Sequence, residues 1–208
     1  MKTYLNLPKR FLGFLPLYIG VEVALGVTIL NKCSGLFGIL ALFTGHPLEF
    51  LQWVLYLWSI FSFVVYAQGL FTYSKPSLLV FSQIFIAFSI DTFLTCLFTL
   101  WFTNQWYTLE DNTPTQKSIA AAAMQEPNQG ASQSFEFVMT IFITLASLIA
   151  RLYFNFVLAS FVQGLLQHPR YMVDYVDVEQ ELRTQPVWKR VWTRTQIRCL
   201  RYSKQLLT

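Results

Sequence analysis

SLLVFSQIFIAFSIDTFLTCLFTLW, residues Ser77–Trp101, decides the fold. Its 25 residues hold one charged side chain, Asp91. About 20 apolar residues let a helix cross the ~30 Å hydrocarbon core of a bilayer, and this stretch exceeds that length. Outward from it lie three stretches of the same kind, Phe11–Asn31, Phe50–Phe71 and Phe137–Leu166. The first and last also carry one ionisable residue near the expected mid-membrane depth, Glu22 and Arg151. A charge at that depth costs about 3 kcal/mol or more unless it has a partner.

The composition agrees with the stretches. Of 208 residues, 54% are hydrophobic and 12% charged, about half the charged fraction of a soluble domain. The expected fold is all-α: a polytopic membrane protein with four transmembrane helices, a flexible lumenal loop and a basic cytoplasmic tail helix. Residues 1–168 form the transmembrane domain, with helices at about 11–31, 50–71, 77–101 and 137–166. Residues 32–49 and 102–136 are its lumenal loops, and 169–208 the tail. Cys33, Cys96 and Cys199 fall in three different settings and make no disulfide framework. The first stretch exceeds a usual signal-peptide core and contains Glu22, so it reads as a retained helix.

Charge orients the helices. Lys2, Lys9, Arg10 and Lys75 share one side with the eight basic residues of the tail. The other side has only Lys32 and Lys117. The positive-inside rule places both termini in the cytoplasm. The third loop opens on the aromatic segment Thr103–Tyr107, which suits the interface. It continues through an Ala-, Gln-, Ser- and Asn-rich linker to Ser134. In the first loop, Gly35–Phe43 is apolar but too short to span, and Gly45-His46-Pro47 breaks it. It reads as re-entrant or interfacial.

Two helices carry polar stripes at three- and four-residue spacing. One comprises Thr140, Thr144, Ser147, Arg151, Asn155, Ala159 and Gln163, the other Gln83, Ala87, Asp91, Thr95 and Thr99. Small and hydroxyl side chains allow close helix approach and hydrogen bonds across the gap. Arg151 and Asp91 each come 14 residues into their stretches, running in opposite directions, so an ion pair is geometrically allowed. Glu22 is the alternative partner for Arg151. Glu22, Asp91, Arg151 and Asn155 are the candidate assembly residues. Contact with lipid headgroups or a substrate cavity, and proton or ion relay, are the other roles such residues can play. Pro16 is expected to kink the first helix.

Catalytic chemistry lacks its parts. His46 and His168 fall on opposite sides of the membrane and cannot form a dyad. No Cys/His/carboxylate cluster has metal-ligand spacing, and no cofactor motif is present. Asp174, Asp177, Glu179 and Glu181 read as a solvated helix start. In the tail, Pro186 opens a helix to about Leu207. Arg190, Arg194, Arg198 and Arg201 form one stripe on it, with Trp188, Val191, Trp192, Cys199 and Leu206 largely off that stripe. Trp with Arg suits an interfacial amphipathic helix on an anionic leaflet. Topology setting and docking to an acidic protein are the alternatives. Nucleic acid is not an expected partner.

Several runs carry a family resemblance: Pro8–Phe14 (PKRFLGF), Ile29–Gly35 (ILNKCSG), Gly38–Leu48 (GILALFTGHPL), Leu79–Gln83, Phe98–Asp111 (FTLWFTNQWYTLED), Tyr153–Gln163 (YFNFVLASFVQ), His168-Pro169 and Val176–Gln180. Together they resemble the regulatory subunit of fungal inositol phosphorylceramide synthase. The resemblance implies a non-catalytic, multi-pass Golgi membrane subunit in sphingolipid biosynthesis. Its catalytic partner would transfer phosphoinositol from phosphatidylinositol to ceramide. The resemblance also implies contact with the COPI coat through Arg190, Arg194, Arg198 and Arg201. One family property lacks its residues: the lumenal loop has only Lys117 and no dibasic pair for a processing protease. The rival expectation is a small transporter or channel using Glu22, Asp91 and Arg151.

Overall fold

The computed structural model of the chain describes residues 7–37, 50–111, 133–168 and 185–207. Five helices fill them: α1 (Leu17–Phe37), α2 (Phe50–Phe71), α3 (Leu78–Asp111), α4 (Gln133–Gln167) and α5 (Val187–Leu207). The described residues contain no named strand. Three helices are long and apolar enough to cross a membrane, within Gln52–Phe71, Leu78–Trp101 and Val138–Gln167. Helix α1 carries Glu22, Asn31 and Lys32 among its 21 residues.

The element bounds differ from the sequence expectation in four places, one being α4, which starts at Gln133 inside the expected loop 102–136. The first helix starts at Leu17, six residues late. Phe11 and Leu15 exchange backbone hydrogen bonds of 2.9 and 3.0 Å, closing a turn with Leu12 at φ 50° and Gly13 at φ 83°. That backbone is not helical, and Gly13 adopts it without steric cost. Pro16 follows at once and lies before the helix rather than kinking it; its carbonyl accepts from Ile19 N–H at 3.2 Å. The same helix then continues through Phe37, taking in the start of the segment expected to be re-entrant. The third apolar helix runs on from Trp101 to Asp111. No Gly or Pro interrupts residues 102–111, so the start of the expected third loop is helical. The rest of the first loop, with His46, the linker at 112–132 and the acidic tail segment lie outside the described residues.

The chain divides into two compact units, Met1–Ser89 with Tyr153–Thr208, and Ile90–Leu152. The first holds the core. Val21 and Leu25 of α1, Val65 and Tyr66 of α2, Phe81, Ile84 and Phe88 of α3, and Val157, Leu158 and Val162 of α4 are all fully or almost fully buried. Gly69 lets α2 approach closely, since a Cβ there would collide with Ile84 and meet Leu25. Ser59 Oγ–H donates to the Lys32 carbonyl of α1 at 3.3 Å. The N-terminal turn is fastened to α4: Leu12 N–H donates to Tyr153 Oη (2.8 Å) and Ser160 Oγ–H to the Pro8 carbonyl (2.7 Å).

Candidate functional site

Within Ile90–Leu152, the central interaction is an ion pair. Arg151 Nη1–H donates to Asp91 Oδ2 at 2.8 Å. Asp91 is 2% exposed, and the Arg151 side chain is also largely covered. Helical rise puts Asp91 about 20 Å along α3 from Leu78, and Arg151 about 24 Å from the end of α4. Both therefore lie deep within apolar spans. Each charge neutralises the other there, and the charge-assisted hydrogen bond fixes their relative position. Below Asp91 on the helix, Thr95 Oγ–H donates to the Asp91 carbonyl and Thr99 Oγ–H to the Thr95 carbonyl, both at 2.8 Å. Those threonines turn their hydroxyls back onto their own helix.

The other two candidate assembly residues lie elsewhere. Asn155 belongs to the first unit, and its Oδ1 accepts from Ser89 Oγ–H at 3.1 Å. Ser89 was outside the stripe read from sequence. Its hydroxyl also bonds its own helix at the Phe85 carbonyl (2.8 Å), so it gave no interhelical signal. Glu22 is exposed, only five residues into α1, about 8 Å along the axis. The late helix start moves it from the expected mid-membrane depth toward the helix end. It accepts a hydrogen bond from Tyr73, which follows α2. Loss of hydration, the Glu22 carboxylate and Tyr18 together push the Tyr73 phenol above its ordinary pKa. Gln83 is buried, and neither amide atom has a hydrogen-bond partner among the described residues.

The tail helix α5 is packed onto the first unit. Gln196, Leu200, Ser203 and Leu207 are its buried residues, at four-, three- and four-residue spacing. Gln163 Nε2–H donates to the Leu207 carbonyl (3.3 Å), and Ser203 Oγ–H lies 3.5 Å from the Ser82 carbonyl. At the other end, Trp192 Nε1–H donates to Gln68 Oε1 (3.1 Å), and the Trp192 ring meets Phe61 edge-on at 6.0 Å. The sequence stripe of arginines falls on the opposite face. Arg194, Arg198 and Arg201 are exposed, and Arg190 is half-buried with Nη2–H donating to the Gln185 carbonyl (3.2 Å). Sequence reading found that stripe but missed the buried seam, because Gln196 and Ser203 do not register as core residues in an apolarity pattern. Cys199 is half-buried, and burial pushes its thiol up from the ordinary value.

Among the described residues no group of three His, Cys, Asp or Glu is placed to hold a metal ion. The described cysteines are all free. His168 is exposed at the end of α4.

The profile of the family described as inositolphosphorylceramide synthase subunit Kei1 matches residues 10–169. The chain is 56% identical, over 99% of its length and 98% of the relative's, to the inositol phosphorylceramide synthase regulatory subunit KEI1 of Saccharomyces cerevisiae. It is 31% identical to the Schizosaccharomyces pombe protein of the same description, over 53% of this chain and 48% of that one. No solved structure matches.

Proposed function

The chain belongs to the Kei1 family of inositolphosphorylceramide synthase subunits, and on that premise we propose that it is the non-catalytic regulatory subunit of such a synthase. It serves a catalytic partner that moves phosphoinositol from phosphatidylinositol to ceramide, and it holds that partner in the Golgi membrane. Four helices cross the bilayer, α1 completing the set, with both termini in the cytoplasm. The observation that carries the reading is the match over 99% of the chain to a protein described as a regulatory subunit. The physical support is the Arg151–Asp91 pair, which fixes two apolar helices in register. The exposed apolar face of α4 at Phe142, Leu145 and Ile149 is where a transmembrane partner would pack. The exposed arginines of α5 serve Golgi retention through the COPI coat.

The transporter alternative has no observation in its favour. Glu22 accepts from Tyr73, and Asp91 and Arg151 neutralise each other.

The test is mass spectrometry of what co-purifies with tagged chain from native membranes in mild detergent. A multi-pass phosphotransferase in stoichiometric amount is expected. Recovery of the chain alone as a monodisperse species would refute the subunit reading. For retention, replacing Arg190, Arg194, Arg198 and Arg201 with Ala is expected to mislocalise the protein while the detergent-solubilised complex stays active. Normal Golgi retention of that variant would refute the coat contact.

A further inference from the structure

Three faces of α5 carry different chemistry. One is the seam buried on the bundle. The second is the arginine stripe. The third runs through Trp188, Val191, Tyr202 and Leu206, each 58–68% exposed, with Thr195 and Cys199 completing three- and four-residue spacing between them. At 100° per residue, this apolar face lies between the seam and the stripe on the Trp192 side of the helix. The position of Trp192 gives that side a direction. Its ring reaches Phe61, while its indole N–H meets Gln68. Phe61 is seven residues, about 10 Å, farther from the end of α2 than Gln68. On the transmembrane placement proposed above, the Trp192 side of α5 points along α2 toward the membrane interior, with the arginine stripe turned toward the headgroups.

The stripe is more than a row of charges at one place. Arg198, Arg201, Tyr202 and Gln205 line an open cleft of about 350 Å³. Two guanidinium groups, a phenol and an amide on one exposed face of α5 line it. These donors suit the oxygens of a phosphate, which guanidinium binds through paired N–H groups. Tyr202 and Leu206 continue from the cleft edge into the apolar face. A ligand that is anionic at one end and apolar at the other matches this layout, and a soluble anion would use only half of it.

We propose that the Arg198–Arg201–Tyr202–Gln205 cleft binds the phosphate headgroup of an anionic phospholipid of the cytoplasmic leaflet, with the Trp188–Leu206 face in the acyl region beneath it. The packing of α5 on the bundle holds the site at headgroup depth. The exposed guanidinium groups of Arg194, Arg198 and Arg201, at headgroup depth, supply complementarity to a negatively charged leaflet. This rests on the cytoplasmic placement of α5 proposed above and not on the subunit role, and it gives Arg198 and Arg201 a lipid ligand beside the coat contact assigned to the stripe.

The experiment uses the purified full-length chain in detergent micelles containing equimolar phosphatidylserine and phosphatidylcholine. Native mass spectrometry counts the lipids retained. Phosphatidylserine is expected to be retained about tenfold over phosphatidylcholine. Arg198→Gln/Arg201→Gln should abolish that preference. Arg198→Lys/Arg201→Lys should keep part of it, because charge remains while the paired geometry is lost. Both variants change exposed residues, and an unchanged melting temperature checks their folding. Excess inorganic phosphate should leave the retained lipid in place, because the acyl contacts do not compete with it. Equal retention of both lipids, an unaltered preference in the Gln variant, or displacement by inorganic phosphate would each overturn the proposal. A lost lipid preference with the catalytic partner still recovered rejects this site alone. Retained preference without a partner rejects the subunit reading and leaves the site standing.

Discussion

The two stretches of α4 on either side of Leu152 have opposite surroundings. From Val157 to Leu165 the helix buries Val157, Leu158, Ala159, Ser160, Val162, Gln163 and Leu165. From Val138 to Leu152 it exposes Val138, Met139, Phe142, Ile143, Leu145, Ile149 and Leu152. Both are equally apolar in sequence. The first belongs to the unit with the core, where side chains from five helices interdigitate. The second belongs to Ile90–Leu152, whose buried residues are Asp91 and Thr92 among those described. The hydrophobic effect does not drive helix pairing inside a lipid phase, so packing and polar contacts decide which surfaces close. In the first unit packing does this. In the second, the described residues place the Arg151–Asp91 ion pair in a largely open surface. The contrast teaches that the described part of the second unit leans on polar contact where the first leans on packing.

Breaking that ion pair should have the largest effect. Arg151→Leu leaves the Asp91 carboxylate buried and unneutralised, at a cost of about 3–5 kcal/mol. The expected outcome is a lower yield of monodisperse protein and reduced recovery of the catalytic partner. Asp91→Leu/Arg151→Leu removes both charges and should regain most of the lost stability. Thermal unfolding by fluorescence-detected size exclusion reads stability, and tagged pull-down reads assembly. If the double variant regains stability without partner recovery, the pair itself contributes to assembly. An unchanged complex yield in the single variant would sink the idea that this pair organises the second unit.

The first unit should give way to overpacking instead. A Cβ at Gly69 would collide with the end of the Ile84 side chain, so Gly69→Val must displace that fully buried side chain or α2 itself. The expected loss is about 1–3 kcal/mol, read as a fall in melting temperature. Gly164→Val, where a Cβ meets no atom within 4 Å, is the control expected to change little. Equal effects of the two would show that the close approach at Gly69 does not matter. A smaller and more local effect is expected from Trp192→Ala, which deletes the bond to Gln68 and the edge contact with Phe61. A loss of about 1.4 kcal/mol at this contact corresponds to a tenfold change in the open population. Limited proteolysis of the tail should then be about tenfold faster. Unchanged cleavage would mean that the seam from Gln196 to Leu207 holds α5 without its tryptophan.

The sequence made the apolar helices legible because each is long and nearly free of charge. The Arg151–Asp91 pair was legible for a different reason: two lone charges at equal distance along antiparallel helices restrict each other's partners. Glu22 misled because the turn at Phe11–Leu15 consumes five apolar residues that look helical by composition. Leu12 at positive φ leaves no pattern in hydropathy. The α5 seam was hidden because burial of Ser203 and Gln196 follows from tertiary contacts with Ser82, Gln163 and their neighbours, and helical periodicity alone favours the exposed arginines. Ser89 escaped notice because a hydroxyl bonded to its own helix resembles the many that make no interhelical contact.

The finest test of the comparison lies at the rim of the first unit, where Tyr73 donates to Glu22. Its raised pKa means that the folded chain holds the phenolic proton more tightly than the unfolded chain does. The stabilising contribution is therefore fully present below the unfolded tyrosine value near 10 and is lost as pH rises through the folded value. Above that point a phenolate would stand beside the Glu22 carboxylate and repel it. Tyr73→Phe removes both the hydrogen bond and the ionisation. At neutral pH the variant should be slightly less stable than the parent. In the alkaline range its melting temperature should fall less steeply, so the two curves converge. Parallel curves through that range would mean that the Glu22 contact does not form in the folded protein. Glu22→Gln gives a second reading, because it keeps an acceptor for the phenol while removing the charge. Its curve should retain the neutral-pH stability of the parent and a smaller part of the alkaline loss. That outcome would assign the missing part of the alkaline limb to charge repulsion at this rim contact, the remainder belonging to the loss of hydration that is the larger cause of the raised phenol.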